Sequence, residues 1–108
     1  MLELSFFEKY SEMEALWQNF LAKTILYRNS SALGMTAMRI CYYVVKYPGC
    51  SLKEIALSLN ISLGSASQMV QAMTVIGLLQ CTVNKDDRRR IAIKPTEILK
   101  DFFLSINL

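Results

Sequence analysis

The chain has 108 residues, of which 53% are hydrophobic and 19% are charged, and its formal net charge is +3. This composition excludes intrinsic disorder, which requires low hydrophobicity and high net charge. The length predicts one domain with a single hydrophobic core. Because the apolar share is high for so short a chain, we expect part of its apolar surface to be covered by a partner, most simply a second copy of itself.

The histidine and cysteine content narrows the class of protein. The sequence has no histidine, which excludes Ser-His-Asp triads and zinc sites of the Cys/His type. Its three cysteines are widely spaced and predict no disulfide framework. We expect Cys41 and Cys81 to be buried and Cys50 to be exposed in a turn. No carboxylate pair has a catalytic spacing and no glycine-rich loop could bind phosphate, so we expect neither an enzyme nor a bound metal or cofactor.

The sequence also predicts where the protein resides. Its longest clear apolar run spans residues 40–45, well short of the roughly 20 residues that a membrane span requires. The N-terminal residues lack the basic region of a signal peptide. We therefore expect a cytoplasmic protein.

The first half of the chain is predicted to form two helices. Large apolar residues recur at spacings of three and four in residues 2–27, the period of one helical face: Phe6, Tyr10, Met13, Trp17 and Phe20. That face is wide enough to indicate a role as an interface. After a loop, Thr36 is predicted to cap a second helix that runs to about Tyr47, where Pro48 and Gly49 end it.

Two short helices with clear capping signals follow. Ser51 and Glu54 form a capping box at the start of a third helix, which stops at Asn60. Ser62 is predicted to cap a fourth helix that continues to about residue 76, with Gly77 as the residue after its end. The intervening turn, residues 60–62, has the length found in a helix-turn-helix.

A β-hairpin and a last helix complete the pattern. Residues 78–83 and 90–93 are β-prone runs on either side of a polar turn, and Pro95 with Thr96 is predicted to open the final helix. The fold predicted by this order is mainly α with a small β-hairpin wing, a winged helix-turn-helix. In such a fold the second helix of the pair can enter the major groove of DNA, while the hairpin reaches the neighbouring backbone or minor groove.

Four stretches carry a resemblance to a known family. They are Leu52-Lys53-Glu54-Ile55-Ala56 with Leu59, Ile61-Ser62 with Ser65-Ala66-Ser67, Gly77-Leu78-Leu79, and Asp87-Arg88-Arg89 followed seven residues later by Thr96. Through them, residues 33–96 resemble the DNA-binding half of the MarR family of bacterial transcription regulators.

This resemblance implies a homodimeric transcription regulator that binds double-stranded DNA at a pseudo-palindromic operator. The whole chain would be one winged helix-turn-helix domain, with dimerisation helices in residues 1–32 and 95–108 and a DNA-binding module in residues 33–94. Arg89 would be the wing arginine that enters the minor groove, and Asp87 would help to hold the wing tip.

The candidate DNA-binding residues fall into three groups. Base contacts are assigned to the exposed side of the fourth helix, because glutamine can bond adenine bidentately and serine can bond bases or phosphates: Ser65, Ser67, Gln68 and Gln71. Wing contacts are assigned to Lys85, Arg88, Arg89 and Arg90. Positioning on the backbone is assigned to Thr36, Arg39, Lys53 and Ser62.

The charge distribution leaves an alternative open. Residues 27–54 carry four basic residues and one acid, residues 85–94 carry five basic residues and two acids, and residues 55–84 carry no charge at all. A neutral recognition helix is unusual, because phosphate neutralisation supplies much of the affinity for DNA. The alternative is a winged-helix protein-protein interaction module that no longer binds DNA.

A second open question concerns a small-molecule effector. Aromatic and sulfur-containing side chains cluster along the second helix, where they are typical either of core packing or of the lining of a ligand site: Met35, Met38, Tyr42, Tyr43 and Tyr47. We expect core packing, with an effector as the alternative.

Overall fold

A computed structural model of the chain describes residues 2–24, 33–83, 86 and 90–106, with the side chains of the first helix described from residue 8 to residue 23. The described residues form seven elements: α1 (Leu2–Thr24), α2 (Met35–Lys46), α3 (Leu52–Leu59), α4 (Leu63–Val75), β1 (Leu79–Val83), β2 (Ile91–Pro95) and α5 (Glu97–Ser105). The chain divides into two compact units, residues 1–38 and residues 39–108.

In the first unit, α1 is anchored by two fully buried side chains, Trp17 and Leu21. The indole N–H of Trp17 donates a hydrogen bond of 2.8 Å to the carbonyl oxygen of Leu33, so a polar group that burial would otherwise leave unsatisfied has a partner. Tyr10 and Leu16 stay exposed on the same helix. The helix therefore buries only part of its wide apolar face.

The start of α2 differs from the prediction. The helix begins at Met35, and the carbonyl oxygen of Gly34 accepts the first helical hydrogen bond from the N–H of Met38, at 3.2 Å. Gly34 thus holds the capping position, which glycine tolerates well. The prediction that Thr36 caps this helix is wrong, because Thr36 lies inside the first turn.

The helix pair α3–α4 is set by its caps, as predicted. The hydroxyl of Ser51 accepts from the N–H of Glu54 at 3.1 Å, and the hydroxyl of Ser62 accepts from the N–H of Ser65 at 3.0 Å. Between the two helices Asn60 adopts a left-handed backbone conformation with φ 56°, which ends α3 and turns the chain toward α4. Gly77, with φ +86°, follows the end of α4.

The hairpin is antiparallel, with Leu79 opposite Pro95 and Val83 opposite Ile91. Ile93 also forms a bridge to Cys50, whose carbonyl oxygen accepts the Ile93 N–H at 2.9 Å. Strand β2 runs to Pro95, two residues beyond the end that the sequence predicted, because its last residue pairs with Leu79. The prediction that Pro95 opens the last helix is wrong, since Pro95 ends the strand and Thr96 is the N-cap of α5.

Two of the three predictions for the cysteines are wrong. Cys50 is buried, because its backbone joins the hairpin edge at Ile93, and burial together with the Glu54 carboxylate raises the pKa of its thiol to about 11. Cys81 is exposed. Cys41 is buried as predicted, with its Sγ 3.1 Å from the sulfur of Met73, and burial raises the pKa of its thiol far above the usual range.

The core of the second unit is built from every helix in it and from the hairpin. Its fully buried side chains include Ile40, Val44, Ile55, Met73, Leu78, Ile93, Leu99 and Phe103. Among the residues that the structure describes, no helix is both long enough and apolar enough to cross a membrane.

Candidate nucleic-acid interface

The outer face of α4 is a line of exposed residues with two glutamines at its centre. Gly64, Gln68, Gln71 and Val75 follow one another at spacings of four, three and four, so they lie along one side of the helix, and all four are exposed. Three buried residues hold the opposite side in the core: Ala66, Val70 and Met73. The glutamines predicted to contact bases therefore face outward.

The serines predicted at this site surround the start of α4. Ser65 and Ser67 are exposed on either side of the line of glutamines. Ser62 is exposed as well, and its oxygen caps the helix through the Ser65 N–H. The Ser62 hydroxyl thus has a structural role and keeps its proton for a further partner.

A groove with a volume of about 1050 Å³ runs between α3, the start of α4 and the start of β2. Three predicted residues line it, one from α3, one from α4 and one immediately before β2: Lys53, Ser67 and Arg90. One acid, Glu54, also lies in its wall. Because residues 55–84 carry no charge, the positive charge beside α4 is supplied by its neighbours.

Arg39 lies at the helix-turn-helix turn. Its guanidinium donates a hydrogen bond of 3.4 Å to the carbonyl oxygen of Leu59, the last residue of α3. A cation is favourable at the C-terminal end of a helix. This contact places a positive charge beside residues 60–62 without burying it.

Five predicted residues remain: Thr36, which does not line the groove, and four residues of the wing. Thr36 is half-buried in the first turn of α2 and belongs to the first unit. Four wing residues lie outside the described residues: Lys85, Asp87, Arg88 and Arg89.

Sequence analysis missed two apolar residues of the groove, Leu57 and Leu63. Their side chains are 73% and 56% exposed, and both line the groove. Helical period alone could have predicted the exposure of Leu57, because this residue lies on a different side of α3 from Ile55 and Leu59, which were predicted to face the core. The sequence could not show that Leu57 lines a groove, because the opposite wall is formed by residues 90–92 of the hairpin.

The aromatic cluster of α2 is packed onto its surroundings. The ring of Tyr42 meets Phe103 edge-on at 5.6 Å, and the ring of Tyr43 lies 4.9 Å from that of Tyr47. The hydroxyl of Ser58 donates to the phenol oxygen of Tyr43 at 3.1 Å. Met38 is buried, as core packing predicts, but Tyr42 and Tyr47 are 36% and 51% exposed, so the prediction of core packing is wrong for these two rings.

The helix pair followed by a two-stranded antiparallel wing defines a winged helix-turn-helix protein, with the fold of MarR-family transcription regulators. Streptococcus pneumoniae FabT, solved in complex with DNA, is similar with a TM-score of 0.71 and 12% identity, over 98% of this chain and 71% of that one. A structure of MarR is similar with a TM-score of 0.68 and 13% identity, over 98% of this chain and 72% of that one.

A MarR family transcriptional regulator from Silicibacter pomeroyi is also similar, with a TM-score of 0.68 and 18% identity, over 98% of this chain and 64% of that one. The sequence itself matches no protein-family model and no curated protein. At these identities the similarity lies in the fold, and it confirms the fold that the sequence predicted.

Proposed function

We propose that this protein is a transcription regulator that binds double-stranded DNA sequence-specifically, with α4 in the major groove and the hairpin on the adjacent backbone or minor groove. The observation that carries the proposal is the groove in which Lys53, Ser67 and Arg90 meet beside the exposed line of α4. The similarity in fold to FabT, a protein solved in complex with DNA, supports it.

In this proposal the groove holds one strand of the DNA backbone. Lys53 and Arg90 neutralise phosphates from opposite walls, and Ser67 donates to a phosphate or a base edge. Arg39 and Ser62 contact the backbone at the helix-turn-helix turn. Gln68 and Gln71, on the outer line of α4, contact bases.

The functional unit is proposed to be a homodimer, which the exposed apolar side chains of Tyr10 and Leu16 on α1 support. Two recognition helices would then enter successive major grooves about one helical turn apart, near 10 bp. A dimer bound in this way would block or reposition RNA polymerase sterically. It would act in the bacterial cytoplasm, through binding and not catalysis.

A small-molecule effector is a further part of the proposal. A cavity of about 330 Å³ between the end of α2, the base of the hairpin and α5 supports it. Its wall combines apolar side chains such as Val45 and Phe103 with Lys94 and Lys100.

The second candidate function is a protein-protein interaction module. It is favoured by one observation: α4 carries no charge, and Leu63 and Val75 expose 56% and 81% of their side chains at its two ends. In that case α4 would be a docking surface for a protein.

The test is fluorescence anisotropy with generic duplex DNA over a range of salt concentrations, with the oligomeric state measured by light scattering on the same sample. A dimer that contacts about six to ten phosphates should lose about 10³ to 10⁵ in affinity between 50 and 200 mM salt. Lys53→Gln and Arg90→Gln should each lower the salt slope by about one for each phosphate contact removed.

Lys100→Gln is the matched control, because Lys100 lies on α5, outside the groove, and pairs with Glu97 at 3.0 Å. It should leave the slope unchanged. Absence of binding at low salt by a folded dimer would contradict the DNA proposal and favour the interaction module. An equal effect of all three substitutions would show that the groove is not the binding site.

A further inference from the structure

We infer that α4 selects half-sites whose central base pairs are A·T, with Gln68 and Gln71 as the residues that determine this preference. The inference rests on the proposed function and specifies the class of DNA sequence that the same site binds.

The first argument is the set of side chains that α4 lacks. Its thirteen residues, LGSASQMVQAMTV, include no arginine, lysine, aspartate or glutamate. Arginine and lysine are the usual partners of guanine in the major groove, and acidic side chains accept from the amino group of cytosine. This helix therefore has none of the charged groups that select G·C pairs.

The second argument is the position of its amides. Gln68 and Gln71 are exposed, and within the described part of the chain neither side chain makes a hydrogen bond. A glutamine amide can donate to N7 and accept from the amino group of adenine at the same time. Both amides are thus available for that bidentate contact.

The third argument is spacing. Three residues of α-helix advance about 4.5 Å along the axis, about 1 Å more than the rise of about 3.4 Å between successive base pairs, and a flexible glutamine side chain can span that difference. Two glutamines three positions apart on one face therefore suit adjacent base pairs. The preferred half-site should contain two neighbouring A·T pairs at its centre.

The fourth argument is Val75, which continues the line of Gln68 and Gln71 and has an 81% exposed side chain. An apolar side chain in the major groove contacts the thymine methyl group and offers no hydrogen bond to guanine or cytosine. Ser67, beside the line, can bond any base and does not alter the preference.

The experiment uses the full chain and a library of duplexes with a random central segment, from which bound duplexes are selected and sequenced. The recovered half-sites should share two adjacent A·T pairs. Replacing either central adenine with 7-deazaadenine removes the N7 acceptor and should weaken binding about tenfold. Replacing the neighbouring thymines with uracil should weaken it less.

Variants assign the preference to residues. Gln68→Ala and Gln71→Ala should each abolish the preference at one base pair, whereas Gln71→Arg should change it from adenine to guanine. Gln80→Ala is the control, because Gln80 lies on β1 and its amide contacts the carbonyl oxygen of Pro95. It should leave the selected sequence unchanged.

The outcomes separate this inference from the proposed function. Absence of binding to every duplex at low salt would overturn the proposed function. Salt-dependent binding with equal affinity for A·T and G·C centres would overturn only the inference. A preference for A·T that persists with 7-deazaadenine, or in both alanine variants, would also overturn it, because the sequence would then be selected through the thymine methyl groups or through DNA shape and not through the glutamines.

Discussion

The hydroxyl of Thr96 lies 2.8 Å from the carbonyl oxygen of Gly77 and 3.0 Å from that of Leu78, so one side chain connects the start of α5 to the turn after α4. We expect Thr96→Val, which keeps the shape but removes the donor, to lower the free energy of unfolding by about 1 kcal/mol in urea denaturation. Thr96→Ser keeps the donor and should cost less. Equal stability of the valine variant and the wild type would show that the contact contributes nothing.

The helix-turn-helix turn depends on one backbone conformation, that of Asn60 at φ 56° and ψ 49°. Asparagine and glycine tolerate the left-handed region, whereas other side chains cost about 1–2 kcal/mol there. We expect Asn60→Ala to lower the unfolding free energy by about that amount, with Asn60→Gly close to the wild type. The denaturation midpoints of the two variants provide the comparison, and an alanine variant as stable as the glycine variant would contradict this account of the turn.

The elements that sequence analysis predicted correctly have local signals. Ser51, Ser62 and Asn60 cap α3 and α4 through residues at most four positions away. The neighbouring sequence is therefore sufficient to predict where these helices begin and end. Cys50 and Pro95 were misjudged because their environment is set from a distance: Cys50 is buried by its bridge to Ile93, and Pro95 is held in a strand by its register with Leu79.

In the candidate site too, features set by neighbouring residues could be predicted and features set by distant residues could not. The outward position of Gln68 and Gln71 could be predicted from helical period alone. The groove could not, because its walls come from α3, α4 and β2 and form only when the hairpin folds back beside the helix pair. For the same reason Leu57 and Leu63, unremarkable in sequence, proved to be groove residues.

At the scale of the whole molecule, the positive charge and the neutral face of α4 belong to different parts of the chain. Positive charge lies in residues 27–54 and 85–94, on either side of the uncharged span that contains α4. If these charges act on DNA phosphates, they should set the affinity for every duplex and its dependence on salt. The neutral face of α4 should then set only the preference among sequences.

This division predicts opposite behaviour for a wing variant and a helix variant. Arg89→Ala should weaken binding to preferred and unrelated duplexes alike and should lower the salt slope, because it removes a cation. Gln68→Ala should weaken binding to the preferred duplex alone and leave the slope unchanged, because an amide neutralises no phosphate. Anisotropy titrations of both variants on both duplexes measure the two effects. If Arg89→Ala changes neither affinity nor slope while the protein stays folded, the wing does not act on DNA, and its arginines are better explained as the contact surface for an acidic protein.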